Sequence, residues 1–588
     1  MTRKWYVWVG LAAAAFMAVI GVWLFLSTGW AVALLQEKVG RSLGRELKVA
    51  GGAHVEFSPK LALRLDGVSL PGASAMNDAF ITARTLHLPL TMASLFGRSL
   101  DLSQVTLRDV QIGLVIDEMG RTSWPDAPSA EPAAVQLVLE NASIRFFDRR
   151  TGQGFALGET RMTVDISPAG ELTLNGTATI NRQQAKLQAY VKNVARVSAT
   201  GSPAELALEA PALSANFNGR LAMANGLSLA GTVALSGPDL RQALRWAGGA
   251  PGGTLGLKTF ALTGGLDATA RAFGVDDADI TMDGIAGKGD LTLDFRGDSP
   301  KLQAVIETGA IDLDRYVPAA GKSKSDWGTA RLGYSALRGI DGAVTLNTAN
   351  LIYSGVAFGP SKIAANLVAG RLEARIVSGS SYETAILLDG AGPVDEFALV
   401  FAGRNADATR LLGPLSGIDW LDGGADINAT ISAVGKTQQE MVSTLKGEVR
   451  IALSRGWLRG LDMGVGLAAV AREMQKGWPG SGKGETPFTS LAASFTIADG
   501  IAAIKTLKLE SPALTMAGTG EVDLLRRALD LRVDPRLVTA ASGETTGLPV
   551  AIVVKGPWGS PRIHPDMANI VANPKAAYEA LKGMGPTR

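Results

Sequence analysis

The residues best suited to acid–base or metal chemistry are scarce in this chain. Its 588 residues include three histidines, His54, His87 and His564, and no cysteine. The lack of cysteine excludes disulfides, thiolate catalysis and cysteine-ligated metal sites. A Ser-His-Asp triad or a histidine-rich zinc site would have to be assembled from distant parts of the sequence. We expect His54 to lie in a turn, His87 on the solvent face of a strand, and His564 on the surface.

One glycine-rich stretch has part of the spacing of a phosphate-binding loop. In "GWPGSGKGE", Gly477, Gly482 and Lys483 match the pattern Gly-x-x-x-x-Gly-Lys. The next residue, Gly484, stands where a serine or threonine would hold magnesium, and the segment before the loop has helical character instead of strand character. We therefore interpret the stretch as an exposed loop.

The acidic stretch "VDDADITMDG" (275–284) does not have the pattern of a calcium loop. Counted from Asp277, the sixth position should be glycine but is Met282. Ile280 and Met282 alternate with polar residues, which predicts a strand. The sequence also has no convincing Gly-x-Ser-x-Gly elbow and no pair of carboxylates set apart by its context. We therefore expect no enzymatic activity, no metal site and no cofactor.

Composition and charge exclude a further class of protein. Apolar residues make up 46% of the chain, charged residues make up 19%, and the formal net charge is +2. Because the basic residues are spread out, nothing indicates a nucleic-acid-binding protein. The chain is too long for one compact core, so we expect more than one folded unit.

The N-terminus has the pattern of a membrane anchor. No charged residue occurs from Trp5 to Leu35, which is longer than the roughly 20 residues needed to span a bilayer core. Arg3 and Lys4 precede this stretch and favour a cytoplasmic N-terminus. We predict a cytoplasmic tail at 1–4 and a transmembrane helix at 5–30. The alternative is a cleaved signal peptide, whose apolar stretch would be only about 7–15 residues long.

After the anchor, the sequence "WAVALLQEKVGRSLGREL" (30–47) has helical spacing, and a period of two dominates thereafter. The alternation recurs in "KLALRL" (60–65), "TLHLPL" (85–90), "LTLNGTATI" (172–180), "LTLDF" (291–295), "LKLE" (507–510), "LTMAGTGEVDL" (514–524) and "LDLRV" (529–533). This pattern predicts strands with one apolar and one polar face. Short helices are predicted at 239–246, 407–412 and 462–476.

With so few helices, the apolar strand faces can be buried in two ways. One is a long antiparallel sheet curled into an open trough whose interior takes an apolar ligand. The other is two or three β-sandwich domains with filled cores. Periodicity alone favours the sandwiches.

The stretch "GLPVAIVVKGPWGSPRIHPD" (547–566) predicts a last strand and its end. An apolar run over 550–554 is followed by Lys555 and then by the strand-stop motif Gly556, Pro557, Trp558, Gly559 and Pro561. Proline lacks the amide donor that extends a ladder, and glycine permits a sharp turn. We expect Lys555 to protect a sheet edge, Trp558 to pack over its end, and a short helix to follow at 574–583.

Several stretches occur in a distinctive order along the chain. The first are "SPKLALRLDGVSLPG" (58–72), "ARTLHLPLTMASLFGRSLDLSQVTLRDVQIGLVID" (83–117) and "EMGRTSWPD" (118–126). "SGPDLRQALRWAGG" (236–249) and "GAIDLDRYVPA" (309–319) follow. The last are "LKGEVRIALSRGWLRGLDM" (445–463), "FTSLAASFTIADGIAAIKTLKLESPALTMAGTGEVDL" (488–524) and "PVAIVVKGPWGSPRIHPD" (549–566). Together they resemble the AsmA family of Gram-negative envelope proteins, relatives of TamB and YhdP, although Ser123 stands where asparagine is common.

The resemblance implies a mainly β fold, in which an N-terminal transmembrane helix precedes a long, curled antiparallel β-sheet groove with a few short helices. It also implies an inner-membrane protein with most of its chain in the periplasm. Its expected role is non-enzymatic binding or transfer of phospholipid between the inner and outer membranes, in support of outer-membrane homeostasis. Expected partners are membrane lipids and outer-membrane assembly or lipid-supplying proteins. The alternative is a scaffold for outer-membrane protein assembly, which would pair its edge strand at 550–554 with a partner strand.

On this interpretation the chain has an N-terminal β region with its leading helix (31–135), a central groove region (136–440), a C-terminal β region (441–567) and a tail (568–588). Apolar residues of the predicted strands are the candidates for lining the groove, and a filled core is the alternative for each of them. The candidates are Leu61, Leu63, Leu65, Leu86, Leu88, Leu90, Leu172, Leu174, Leu291, Leu293, Leu507, Leu509, Leu514 and Met516.

Overall fold

The structure is a computed structural model of the chain. It describes residues 29–43, 45–56, 61–72, 79–91, 100–119, 121–124, 134–150, 153–197, 199–223, 226–249, 255–297, 299–317, 327–416, 420–459, 485–512, 514–538, 545–547, 551–558 and 562–566. The chain divides into two compact units. Unit 1 comprises Met1–Gly249 and Lys258–Met282, and unit 2 comprises Ala250–Leu257 and Asp283–Arg588. The region boundaries that we predicted at 135/136 and 440/441 are not tested by this division and stay predictions.

Unit 1 is mainly β. Its helices are α1 (Gly29–Leu43), α2 (Val194–Val197) and α3 (Leu240–Trp246). Its strands are β1 (Lys48–Val49), β2 (Ala53–Glu56), β3 (Ala62–Pro71), β4 (Ala79–Pro89), β5 (Gln104–Ile116), β6 (Val135–Asp148), β7 (Gln153–Ile166), β8 (Leu172–Ile180), β9 (Gln183–Val191), β10 (Ser202–Glu209), β11 (Ser214–Ala222), β12 (Ser228–Gly237), β13 (Phe260–Thr269) and β14 (Ala272–Met282).

The strands of unit 1 follow one another along a sheet in chain order. Strands β1 and β2 both pair with β3, and β3, β4 and β5 continue as an antiparallel meander. Strands β5 and β6 then pair in parallel, which the alternation did not predict. From β6 to β14 each strand is antiparallel to the next. A parallel step needs a long connection, and residues 117–134 supply it.

Unit 2 is built in the same way. Its helices are α4 (Ala408–Ser416) and α5 (Gln438–Ser443), with short 3₁₀ helices at Leu313–Arg315 and Tyr334–Gly339. Its strands are β15 (Ile285–Asp294), β16 (Lys301–Asp312), β17 (Asp341–Tyr353), β18 (Val356–Val368), β19 (Arg371–Ser378), β20 (Tyr382–Asp389), β21 (Glu396–Asp407), β22 (Leu421–Val434), β23 (Lys446–Arg459), β24 (Glu485–Ala498), β25 (Ile501–Glu510), β26 (Leu514–Asp523), β27 (Ala528–Val538), β28 (Thr545–Gly547), β29 (Ile552–Pro557) and β30 (Arg562–Pro565).

Unit 2 also contains one parallel step, between β16 and β17. Strand β15 is antiparallel to β16, and each strand from β17 to β27 is antiparallel to the next. Both β28 and β29 pair with β27, and β30 pairs with β29. The predicted mainly β, mostly antiparallel fold is therefore confirmed. The predicted curling of the sheet into an open trough is not confirmed.

The predicted helices can be compared with the described part of the chain. The predicted leading helix corresponds to α1, and the helices at 239–246 and 407–412 correspond to α3 and α4. Among the described residues, none of the helices is both long and apolar enough to cross a bilayer. The predicted anchor at 5–30 lies outside the described residues except for its last two. The predicted helices at 462–476 and 574–583, and most of the glycine-rich loop, also lie outside them.

The core of unit 1 lies where α1 covers the first strands. Ala31 and Leu35 of α1 pack in one cluster with Leu63 and Leu65 of β3 and Leu88 of β4. The Lys38 ammonium donates to the Leu100 carbonyl at 2.8 Å, which ties the helix to the sheet. Helix α1 therefore fills the apolar side of this end of the sheet.

The core of unit 2 lies where α4 covers the sheet. Leu411 of α4, which is 1% exposed, packs in one cluster with Leu453 of β23, Phe488 of β24, Leu509 of β25 and Ile552 of β29. Helix α2 adds a smaller cluster in unit 1, in which Val197 packs with Val191 and Ala204. The strands that lie away from these helices keep a less covered apolar face.

Candidate functional site

The candidate site in unit 1 is the apolar face of strands β8 to β13, here called the unit 1 apolar face. Directly paired residues of an antiparallel sheet point to the same side. Leu174 is paired with Ala189, Ala189 with Leu206, Leu206 with Phe217, and Phe217 with Val233. One row of apolar side chains therefore crosses five consecutive strands.

Rows on either side extend this face. Phe217, Val233 and Leu266 of this face are buried. Its other large members include Leu172, Leu174, Leu187, Leu206, Leu208, Leu221, Leu229, Leu235 and Leu262. All of these leucines are half-buried. No charged residue lies on this face between Leu172 and Ala268, whereas Lys186, Glu205, Glu209 and Arg220 project from the opposite, polar face.

The candidate site in unit 2 has the same character and comprises the apolar face of strands β15 to β22, here called the unit 2 apolar face. Leu291 is paired with Ala304 across β15 and β16. Further along the sheet, Ala374 is paired with Ile386, Ile386 with Leu399, and Leu399 with Ile431. These leucine and isoleucine side chains are half-buried, and no charged residue shares the row.

Three aromatic rings lie at the margin of the unit 2 apolar face nearest to α4. Phe358 meets Tyr382 edge-on, with ring centroids 5.1 Å apart, and Tyr382 stacks on Phe401 with centroids 6.4 Å apart. Burial raises the pKa of the Tyr382 phenol, and the negative charge of Asp407 raises it further. The rings therefore form a rigid, uncharged border between the α4 core and the open strands.

The structure divides the predicted lining residues into two groups. Leu63, Leu65, Leu86, Leu88 and Leu90 belong to the cluster under α1, and Leu61 packs against it. Leu509 and Leu514 belong to the cluster under α4, and Met516 packs against it. For these residues the filled-core alternative describes the packing better. Leu174 also packs against the cluster under α1, and Leu172 packs against a smaller cluster that contains Val197 of α2, although both side chains are half-buried. Leu291 and Leu293 are half-buried on the unit 2 apolar face, and Leu507 is half-buried on β25, outside both apolar faces.

The candidate list missed the residues that make these faces continuous. Leu206 lies in the row of Leu174, Leu399 in the row of Leu291 and Leu388 in the row of Leu293, whereas Leu187 and Leu262 lie in the row next to that of Leu174. Their signal was present in the same alternation, in stretches such as "AKLQAY" and "RLEARI". Alternation assigns a residue to a face, but it does not show which part of that face a helix covers.

Two recesses have linings that mix residues of the apolar rows with residues of the polar face. A recess of about 670 Å³ in unit 1 is lined by the apolar row Leu174, Ala189, Leu206, Phe217 and Val233 and by polar-face residues such as Asn175 and Gln188. A recess of about 570 Å³ in unit 2 includes Arg371, Glu373 and Arg375 in its lining. These recesses therefore do not single out one face of either sheet.

The histidines do not assemble a catalytic site. His54 lies in β2, paired with Arg64, and not in a turn as expected. His87 is on the polar face as predicted, but it is half-buried, with Nδ1 3.5 Å from Oε2 of Glu56. Burial lowers the pKa of His87, and the positive charge of Arg108 lowers it further. His564 is exposed, as predicted. Among the described residues no cluster of three or more His, Asp or Glu side chains could hold a metal ion.

The strand-stop motif closes β29 differently from our expectation. Gly556 has φ of 107°, a conformation that favours glycine, and Pro557 is the last residue of β29. The chain then returns as β30, with His564 paired with Val553. The stretch 550–554 is therefore not a sheet edge as predicted, since β29 has β27 on one side and β30 on the other. Gly559 and Pro561 lie outside the described residues.

Two further residues of this stretch have identified partners. Lys555 forms an ion pair with Asp530 of β27 at 3.0 Å, so it does not guard a free edge. The Trp558 amide donates to the Arg527 carbonyl at 2.9 Å, and its ring lies 5.9 Å from the Arg527 guanidinium. Trp558 therefore packs at the end of the sheet, as predicted, against the turn between β26 and β27.

The comparisons with known proteins bear on the middle of unit 2. No curated protein sequence and no solved structure matches the chain. Residues 375–507 match the sequence profile of the AsmA family. This segment includes β20 to β24, α4 and α5, so it holds part of the unit 2 apolar face and most of the cluster under α4. The chain therefore contains an AsmA family domain, in residues 375–507.

Proposed function

We propose that this protein is a non-enzymatic component of the cell envelope whose two apolar faces bind phospholipid acyl chains. The observation that carries the proposal is the uncharged, half-buried surface that crosses consecutive strands in each unit. Soluble proteins seldom leave so long an apolar surface uncovered, and such surfaces are typical of lipid- or protein-binding sites.

The free energy available on such a face is sufficient to hold a lipid. Burying one methylene group contributes about 0.8 kcal/mol, so a chain of about 15 methylenes gains about 6 kcal/mol if half of its surface is covered. An open face covers one side of a chain and leaves the other side accessible. Binding is then strong enough to shield the chain from water, yet weak enough to let the lipid move on without an energy source in the protein.

The family domain supports a place in the envelope. With the anchor at residues 5–30 in the inner membrane and the N-terminus in the cytoplasm, the bulk of the chain lies in the periplasm. There it passes phospholipid between the inner and outer membranes and supports outer-membrane homeostasis. Its partners are membrane lipids and the proteins that supply or receive them.

Paired substitutions on opposite faces of one strand test this function. Leu174→Glu in β8 and Leu291→Glu in β15 place a carboxylate on the apolar faces. The matched controls are Asn175→Glu and Thr292→Glu, which add the same charge to exposed positions on the polar face. We expect the leucine variants to lose most of the phospholipid that co-purifies with the wild-type protein, as measured by mass spectrometry of lipid extracts. The controls should retain it.

Two results would contradict the proposal. One is a wild-type protein, purified in mild detergent, that carries no phospholipid. The other is equal lipid content in the leucine variants and their controls, given circular dichroism spectra that show all four to be folded. The second result would assign Leu174 and Leu291 to plain packing.

A scaffold in outer-membrane protein assembly is the second candidate, and β30 is the observation that favours it. Among the described strands, β30 pairs only with β29, so its other side can accept a partner strand by β-augmentation. This edge replaces the predicted edge at 550–554. A photo-crosslinking residue at Arg562 or His564 that captures an outer-membrane protein would support the scaffold, and capture of lipid alone would count against it.

A further inference from the structure

Residues 327–340, here called the strap, are the last part of the connection between the parallel strands β16 and β17, and they run along one end of the unit 2 sheet. The strap contacts the turn after β26, helix α5 and the turn after β20 in succession, and it then enters β17. These turns lie at the end of the sheet where Leu388 of β20 and Phe397 of β21 are the terminal pair of the apolar face. The strap therefore borders the unit 2 apolar face on this side.

Trp327, the first residue of the strap, is held by hydrogen bonds and by a cation–π contact. Its indole Nε1 donates to the carbonyls of Leu524 and Leu525, at 3.0 and 3.1 Å. The guanidinium of Arg527 lies 4.3 Å from the centroid of the Trp327 ring and 5.9 Å from that of Trp558. Trp558 of the strand-stop motif is therefore part of the same group of contacts, in which the Arg527 guanidinium lies near both tryptophan rings.

The middle of the strap lies against α5. The Gly328 amide donates to Oε1 of Gln438 at 3.0 Å, and the Gln439 amide donates to the Gly328 carbonyl at 3.1 Å. Farther on, the Leu332 amide donates to the Lys436 carbonyl at 2.9 Å, and Arg331 forms an antiparallel bridge with Thr437. The strap is therefore held here by polar contacts to one short helix and its N-cap.

Arg338 holds the C-terminal end of the strap by hydrogen bonds. Its Nε donates to the Gly390 carbonyl at 2.8 Å, and its Nη2 donates to the carbonyls of Gly390 and Gly392 at 2.5 and 3.2 Å. Between the two fastenings Arg331, Leu332 and Gly333 are exposed. No strap residue belongs to either large core cluster. Tyr334 is half-buried, and the hydrogen bonds from Trp327 to Leu525, from Gly328 to Gln438 and from Arg338 to Gly392 are exposed. A segment with exposed hydrogen bonds and few buried apolar contacts opens at a lower free energy than the strands beside it.

We propose that the strap is a detachable rim of the unit 2 apolar face, which is released to let a phospholipid acyl chain on or off and then closes again. This inference rests on the proposed lipid-binding function. The rim stands at the end of the strands where Leu388 and Phe397 are the terminal apolar pair, so its release breaks the isolated bridge between Arg331 and Thr437 but no pairing between the strands of the sheet. The contacts of Trp327 and Arg338 determine how often the strap opens.

Because the chain contains no cysteine, two introduced cysteines can lock the strap by a disulfide without competition from native thiols. Bridge partners on antiparallel strands have Cα atoms about 4.5–5.5 Å apart, which is within the range that a disulfide spans. The double variant Arg331→Cys, Thr437→Cys therefore closes the strap when oxidised and frees it when reduced. The control pair, Thr345→Cys with Ala364→Cys, joins β17 to β18 on the polar face, where the strands stay paired in any case.

The first measurement is the exchange of fluorescent phospholipid between the purified protein and phosphatidylethanolamine–phosphatidylglycerol vesicles. We expect the oxidised strap variant to exchange lipid at least fivefold more slowly than its reduced form, and the control pair to show equal rates in both states. Equal rates in the oxidised and reduced strap variant would overturn the proposal. Comparing two redox states of one protein removes any effect of the substitutions themselves.

The second measurement does not depend on lipid. Hydrogen exchange of the Gly328 and Leu332 amides should be at least tenfold faster than that of amides in the middle of β22 and β23, and it should slow on oxidation. If these amides are as protected as the strands, the strap does not detach and the proposal fails even if phospholipid binds. If the wild-type protein binds no phospholipid, the proposed function fails, and hydrogen exchange still decides whether the strap opens.

Discussion

The guanidinium of Arg527 lies 4.3 Å from the centroid of the Trp327 ring, although the two residues are far apart in sequence. Arg527 is in the turn between β26 and β27, and Trp327 begins the segment that leads into β17. This contact joins two distant parts of the unit 2 sheet, and Trp558 adds a second ring to it.

Removing the guanidinium should loosen this end of unit 2. A cation–π contact contributes about 0.5–2 kcal/mol, so we expect Arg527→Ala to lower the free energy of unfolding of unit 2 by about 1–2 kcal/mol. Chemical denaturation followed by tryptophan fluorescence measures the loss. The neighbouring Arg526 is 83% exposed and pairs only weakly with Asp523, at 3.7 Å, so Arg526→Ala is the matched control. Equal effects of the two substitutions would contradict a role for the rings.

Core and open-face leucines should differ in what they contribute to stability. Leu65 is 0% exposed under α1, so Leu65→Ala should cost about 3–5 kcal/mol in the free energy of unfolding. Leu174 is half-buried on the unit 1 apolar face, and Leu174→Ala should cost only about 1 kcal/mol. Denaturant titration of both variants tests the difference. A cost at Leu174 as large as that at Leu65 would place Leu174 in a filled core.

The half-buried His87 predicts a dependence of stability on pH. Burial and Arg108 lower the pKa of His87 below its usual 6.5. The folded protein therefore binds this proton less readily than the unfolded chain, and stability declines as the pH falls below about 6.5. We expect the thermal midpoint of unit 1 to fall between about pH 7 and pH 5, and to fall by less in His87→Asn. The exposed His564 provides the control, and a pH profile that is unchanged in His87→Asn would refute the assignment.

Two opposed glycines on the unit 1 apolar face should tolerate no side chain. Gly219 and Gly231 are directly paired, and a Cβ added to Gly231 would lie 2.3 Å from the Asn218 carbonyl oxygen. Since backbone atoms cannot move aside cheaply, Gly231→Ala should destabilise unit 1 by about 1–3 kcal/mol. Ala230→Val is the control, because Ala230 is exposed on the polar face of the same strand. Circular dichroism melts of both variants measure the effect, and a neutral Gly231→Ala would show that the strands can separate here.

Local pattern was enough to predict those strands in which apolar and polar residues alternate clearly, and their two faces. The alternation in "LTLNGTATI" predicted a strand over 172–180, and β8 spans Leu172–Ile180. Side chains of a strand alternate between its faces whatever lies beyond it, so this information is local. The helix predicted at 239–246 also follows from local sequence, since the Asp239 carboxylate caps α3 by accepting a hydrogen bond from the Gln242 amide at 2.8 Å.

The other features of the fold depend on contacts between residues that are distant in sequence. The sequence by itself determined that Leu65 and Leu174 lie on apolar faces, but only the packing of α1 made the first a core residue and left the second half-buried. The parallel steps at β5–β6 and β16–β17 depend on where a long connection returns to the sheet, which alternation does not encode. The contact of Trp327 with Arg527 likewise joins residues about 200 positions apart, and it depends on the register of the ten strands β17 to β26 between them.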